Sequence, residues 1–247
     1  MPKKMLYWMG RYSVELVARI MLDMNILYHE ELPPGPKLIA PNHPTTIDPF
    51  IITIVAPEQV HILITESAFK SPLLSKYLHG AGHVPVVVEN GLAAFVQAKR
   101  LLEDGKTVAI FPEGALSPTD GIARPHTGVV RLALMTGAPI IPVGIALDKS
   151  RIKLMDTGIT TADGTTEVAR LYLGGPYFVT VGVPMRLSGS AGDRANAIAQ
   201  TQRMMRHIIR LSRMSDYRIQ GQELPKGAVE TNMIGALSIP FEIPTQP

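Results

Sequence analysis

The sequence predicts an α/β protein: a three-layer α/β/α sandwich around a mixed, largely parallel central sheet. Three observations lead there. Short apolar runs of strand length alternate with longer stretches of helical periodicity, the order that covers both faces of a parallel sheet. Breakers such as Pro33-Pro34-Gly35-Pro36 and Gly105 mark the junctions. At 46% hydrophobic content, 247 residues suffice for one full α/β core.

Taken in order, residues 3–27 predict a helix. It opens on Lys3-Lys4, and Arg11, Glu15, Arg19 and Asp23 recur at steps of four, a spacing that supports Arg–Glu and Arg–Asp ion pairs. Between them stand Leu6, Trp8, Met9, Val14, Leu16, Val17, Ile20, Met21 and Leu22. The charges are too frequent for a membrane span, and the apolar run breaks too early for a signal peptide. Residues 1–28 are therefore expected to form an N-terminal amphipathic, membrane-interfacial helix anchored by Tyr7, Trp8 and the lysine pair. Packing against its own domain is the alternative.

Residues 29–220 are expected to form the main domain. An opening strand is read at 26–29, and 37–40 is a strand that delivers the loop discussed below. A helix over 49–56, a strand over 60–64, a helical stretch near 67–79 and a strand over 84–88 follow. The periodicity of 92–104 predicts a helix stopped by Gly105, before a strand over 107–111. A helix at 128–136 and a strand at 140–147 come next. Residues 150–175 are rich in glycine and threonine and carry no predicted element. A strand over 177–183 and a helix over 193–214 complete the domain. That helix carries Arg203, Arg206, Arg210 and Arg213 loosely on one face, which would meet lipid headgroups or solvent. The stretch 221–247, with four prolines, is expected to be an extended tail.

Composition narrows the chemistry. No cysteine is present, which excludes disulfides, thiol catalysis and cysteine-ligated metals. A net charge of +3 suits an anionic membrane surface or an acidic acyl donor, and no nucleic-acid partner is indicated. There is no zinc spacing, phosphate-cradling glycine loop, Gly-x-Ser-x-Gly elbow or internal repeat.

The candidate reaction centre is 41–49, Pro-Asn-His-Pro-Thr-Thr-Ile-Asp-Pro. A histidine titrating near neutrality can take a proton from a hydroxyl, and a nearby aspartate can fix its tautomer and stabilise the imidazolium. On one continuous helix, residues five apart point about 140° away from each other. Pro44 and Pro49 remove that objection, because each disfavours the helical conformation for the residue before it. Residues 42–48 thus form a turn into a helix, leaving His43 and Asp48 free to converge. The alternative is a helix-capping aspartate beside a polar loop histidine. A second landmark is the strand at 107–111 running into Pro112-Glu113-Gly114, since ligand sites gather at the carboxyl ends of such strands.

Together, Asn42-His43-x4-Asp48, Phe111-Pro112-Glu113-Gly114 and Ala138-Pro139-Ile140-Ile141-Pro142-Val143 resemble the lysophospholipid acyltransferase family, whose best-known member makes phosphatidic acid from 1-acylglycerol-3-phosphate. The resemblance spans roughly residues 25 to 185. It implies a glycerolipid acyltransferase-like fold and an O-acyltransferase acting in phospholipid biosynthesis. His43 would be the general base and Asp48 its orienting partner. Asn42, Thr45, Phe111, Pro112, Glu113, Gly114, Arg124 and His126 would bind substrate. No metal and no cofactor are implied; acyl-CoA or acyl carrier protein is the co-substrate, a lysolipid the acceptor and the membrane surface a partner. The expected location is the cytoplasmic side of the membrane, peripheral or monotopic.

The chain departs from the family pattern where phosphate is usually met. Positions that carry arginine in phosphatidate-forming members hold Val88 and Leu116 here, and a common lysine position holds Thr65. Arginine suits phosphate because its planar fork donates two hydrogen bonds at once. Either other cations serve, Arg124 and His126 among them, or the acceptor is a glycolipid or another alcohol. Further alternatives are a CoA-independent transacylase, a metal-dependent hydrolase with His43, Asp48, Glu113 and His126 as ligands, and a non-catalytic membrane-binding module.

Overall fold

A computed structural model describes residues 3–70, 74–87, 90–118, 125–160 and 166–222. The chain opens with helix α1 (Lys3–Met21), strand β1 (Leu22–Tyr28), strand β2 (Lys37–Pro41) and the short helix α2 (Asp48–Ile52). Strand β3 (Val60–Thr65), helices α3 (Glu66–Lys70) and α4 (Ser75–Gly80), strand β4 (Val84–Val86), helix α5 (Gly91–Glu103) and strand β5 (Thr107–Ala109) follow. Helix α6 (Gly128–Thr136), strand β6 (Ile140–Leu147), strands β7 (Lys153–Thr160) and β8 (Thr166–Leu171), strand β9 (Gly175–Val181) and helix α7 (Arg194–Ile219) complete it.

Seven strands form one sheet in the order β1-β9-β6-β2-β5-β3-β4. Five of them run parallel, β9 joins β6 antiparallel, and β1 is parallel to β9. One face buries Ile39, Ile62, Ile141, Val143 and Val179 under residues of α1 and α2. The other buries Leu38, Ala40, Val108 and Ile140 under α5, α6 and α7. Every residue of β2 and β6 is buried, as expected of strands covered on both faces. This is the predicted α/β sandwich.

Several boundaries differ from the sequence reading. The first helix stops at Met21 rather than 27, because from Leu22 onward the chain pairs with β9, from Leu22 opposite Gly175 to Tyr28 opposite Val181. Leu22, Met24 and Ile26 face inward while Asp23, Asn25 and Leu27 are exposed, a period of two. Asp23 thereby leaves the charge ladder, of which the Arg19–Glu15 pair at 2.7 Å remains. The stretch near 67–79 holds two short helices. The glycine- and threonine-rich segment contains the β7–β8 hairpin, which stands apart from the main sheet. Its Leu154, Met155 and Val168 are exposed, so it shows no burial rhythm. Helix α7 runs five residues past its predicted end, and Asp193 caps its start by accepting from Asn196 N at 3.0 Å.

Helix α1 packs on the domain through Tyr7 and Arg11. The buried Tyr7 hydroxyl accepts from Val60 N at 2.9 Å, and Arg11 donates to Thr53 O at 3.0 Å. Gly10 lets the helix meet the Tyr77 ring, with which any Cβ would collide. The opposite side exposes Met9, Tyr12, Leu16, Val17 and Ile20. Among the described residues no helix is long and apolar enough to cross a membrane.

Candidate active site

The site forms where β2 ends. Strand β2 stops at Pro41, the chain turns through Asn42–Ile47, and α2 starts at Asp48 with a proline in its first turn. The turn brings the two predicted side chains together: His43 Nδ1 lies 2.9 Å from Asp48 Oδ2. The histidine is slightly open to solvent, its side chain 15% exposed, whereas the aspartate is wholly buried.

A buried carboxylate must be satisfied by donors. Oδ2 also accepts from Thr45 N at 2.7 Å, and Oδ1 accepts from the Thr45 hydroxyl and from Tyr177 Oη, the latter at 2.7 Å. Burial first, and then the Asp48 charge, hold the Tyr177 hydroxyl well above its ordinary value, so it stays a donor. The carboxylate is thus fixed, and it fixes the imidazole with Nδ1–H facing it. Nε2 is the nitrogen turned away from the carboxylate. Phe111 stacks on the imidazole, centroids 4.1 Å apart and 28° between planes.

The glutamate turn lies against the same loop. Glu113 is buried, and its Oε1 accepts from the Ser117 hydroxyl at 2.6 Å and from His43 N at 3.3 Å. Ser117 N donates to His43 O at 2.7 Å, and Ser117 Oγ accepts from His43 N at 3.0 Å. Gly114 takes φ +67°, a left-handed conformation suited to glycine, and any Cβ there would lie 2.9 Å from the His126 ring. The backbone N–H of His126 donates to Pro112 O at 2.8 Å.

Three residues expected to bind substrate have internal partners. The Asn42 amide donates to Ile145 O at 3.0 Å and accepts from Ile145 N at 2.7 Å, stapling the loop to β6. Thr45 is spent on Asp48, and the Glu113 carboxylate braces the His43 backbone. All three support the site because buried polar atoms take the nearest partners the fold offers. Phe111 and Pro112 are buried, while Gly114 and His126 are exposed beside them. Arg124, Val88 and residues 223–247 lie outside the described residues. Leu116 is half-buried on the glutamate turn, and Thr65 ends β3. Among the described residues no three His, Asp or Glu side chains converge to hold a metal ion.

Two further residues that touch this loop escaped the sequence reading. Tyr177 reaches Asp48 because the antiparallel β6–β9 pairing sets Tyr177 opposite Leu147, at the end of the sheet where the loop lies. Arg170 of β8 exchanges hydrogen bonds with Thr46, Thr46 N to Arg170 O at 3.0 Å and Arg170 N to the Thr46 hydroxyl at 2.9 Å, and its Nη1 donates to Ser117 O. No local motif marks either residue.

A family model for acyltransferases matches residues 24–146. A 1-acyl-sn-glycerol-3-phosphate acyltransferase of Borreliella burgdorferi is 31% identical over 111 residues, 43% of this chain and 44% of that protein. One of the same description from Bacillus subtilis is 24% identical over 149 residues, 59% of this chain and 74% of that protein. The chain thus spans less than half the length of the first of these relatives. The crystal structure of a 1-acyl-sn-glycerophosphate acyltransferase from Thermotoga maritima superposes with a TM-score of 0.58, covering 90% of this chain and 81% of the other at 17% identity, and shares the fold. With His43, Asp48 and Glu113 assembled inside the matched segment, the chain belongs to the acyltransferase family.

Proposed function

We propose that this protein is an O-acyltransferase that moves a fatty acyl group from an acyl thioester to a hydroxyl of a glycerol-based lipid, with 1-acylglycerol-3-phosphate as acceptor. The observation that carries the reading is the His43–Asp48 pair beside the glutamate turn. The names of the Borreliella and Bacillus relatives support the acceptor.

In this reading His43 Nε2 takes the acceptor hydroxyl proton as the oxygen attacks the thioester carbonyl. A C–O bond forms, the C–S bond breaks, and the proton passes to the departing thiolate. No covalent enzyme intermediate and no cofactor are needed; acyl-CoA or acyl carrier protein is the co-substrate. Asp48 holds the imidazole and balances its transient charge. An oxyanion needs N–H donors. Those of His43, Thr45, Thr46 and Gly114 have partners in the fold, so the N–H of Ala115 on the same turn is assigned to it.

The exposed apolar side of α1 supports a peripheral location on a membrane surface, and the cytoplasmic face is the one proposed. Leu116 favours a second reading with a phosphate-free acceptor. A mass-spectrometric acceptor screen with acyl-CoA and acyl carrier protein as donors, using His43→Ala as blank, tests both. Product formed equally by His43→Ala would sink the mechanism, and a preference for monoacylglycerol over 1-acylglycerol-3-phosphate would favour the second acceptor.

A further inference from the structure

Strand β8 sets a cation against the reaction-centre loop. Two hydrogen bonds between the Arg170 backbone and Thr46, one to its N–H and one to its hydroxyl, fix where the arginine leaves the chain, and its Nη1 donates to Ser117 O. Ser117 in turn bonds His43 through both its N–H and its hydroxyl, and its hydroxyl also donates to Glu113. The guanidinium is therefore two hydrogen bonds from the backbone of the general base. It is half-buried, and among the described residues it makes no ion pair, its partner there being the neutral Ser117 carbonyl.

A guanidinium carries five N–H donors in a rigid plane, and one bond to a carbonyl leaves most of them for a ligand. A half-buried cation with no carboxylate opposite is matched by an anion brought from outside, and phosphate oxygens fit its fork. On the glutamate turn, the neighbouring Leu116 brings no charge of its own.

We propose that Arg170 receives the anionic headgroup of the acceptor and sets the preference for a phosphate-bearing lysolipid. The inference rests on the acyltransferase reading. Arg170 orients the headgroup so that the free glycerol hydroxyl meets His43 Nε2, and it takes no part in proton transfer.

The test compares short-chain 1-acylglycerol-3-phosphate with the matching monoacylglycerol, in the full-length wild type, Arg170→Gln and Arg170→Lys. Arg170→Gln is expected to raise KM for the phosphate-bearing acceptor about 10- to 100-fold, the usual weight of a charge-assisted contact, while kcat and monoacylglycerol turnover stay within about two-fold. Arg170→Lys keeps the charge without the fork, falls between, and serves if the glutamine variant loosens the hairpin. Equal losses on both acceptors would mark Arg170 as structural, and no loss on either would remove it from the site; each overturns the proposal. Donor-free binding of 1-acylglycerol-3-phosphate, followed by calorimetry, separates the two readings. If wild type transfers no acyl group, the reaction assignment fails, and Arg170 then stands or falls on whether Arg170→Gln loses that binding.

Discussion

Tyr177 and Asp48, 129 positions apart in the chain, meet at 2.7 Å inside the core. That hydroxyl is one of two donors to Asp48 Oδ1, the other being Thr45. Tyr177→Phe keeps the ring and removes the donor. Stability should fall by about 1–3 kcal/mol, the penalty for a buried acceptor losing a partner. Transfer should slow by roughly ten-fold, since Asp48 loses one of the donors that hold it against the imidazole. Urea denaturation and initial rates measure both; wild-type values in each would show that Tyr177 does not support the site.

His43→Ala and Asp48→Asn should separate chemistry from architecture. Loss of the imidazole should cut acyl transfer by about 10²- to 10⁴-fold and cost about 1–3 kcal/mol of stability, since it removes one donor from the buried Asp48. Asp48→Asn should be as slow and also markedly less stable. Its NH2 would face groups that themselves donate, from Thr45, Tyr177 and His43. An asparagine variant as stable as wild type would contradict this picture of a fully engaged carboxylate.

Acid should weaken the fold through His83. This buried imidazole, whose Nδ1 accepts from Ile62 N at 3.3 Å, titrates at about 4 instead of 6.5, chiefly because burial disfavours its charged form and secondarily through His61. Between those values the unfolded chain binds the proton more readily than the folded one, so stability is complete above about pH 6.5 and declines as pH falls toward 4. The full loss is on the order of 3 kcal/mol. Thermal melts of wild type and His83→Gln from pH 7 to 4 should show a shallower decline in the variant; parallel curves would assign the slope elsewhere.

The exposed side of α1 should bind bilayers. Leu16→Glu with Ile20→Glu removes two of its apolar contacts and should reduce co-sedimentation with anionic phospholipid vesicles several-fold. Turnover of a monomeric short-chain acceptor should be unchanged. Undiminished vesicle binding would place the membrane contact on another surface.

What could be read from the chain was what lies close together along it. His43 and Asp48 are five residues apart and flanked by prolines, so their convergence follows from local backbone rules. The glutamate turn follows from a strand ending in Pro112. Tyr177 and Arg170 reach the same loop only through the sheet order and the hairpin docking, which no periodicity encodes. The end of α1 was misjudged because an apolar run such as 20–28 suits helix and strand alike. The polar residues Asp23 and Asn25 at every second position were the signal for β1. Asn42 reads from the sequence as a substrate contact because an amide beside such a loop has two ordinary uses, and the structure shows one of them, its pairing with Ile145.

The β7–β8 hairpin stands outside the seven-stranded sheet, yet it delivers Arg170 to the reaction-centre loop. On the proposed role of Arg170, a lineage could retune which lipid is accepted by drifting this ribbon while the structural foundation is inherited unchanged, and swapping it between relatives would be a route to new headgroup selectivity.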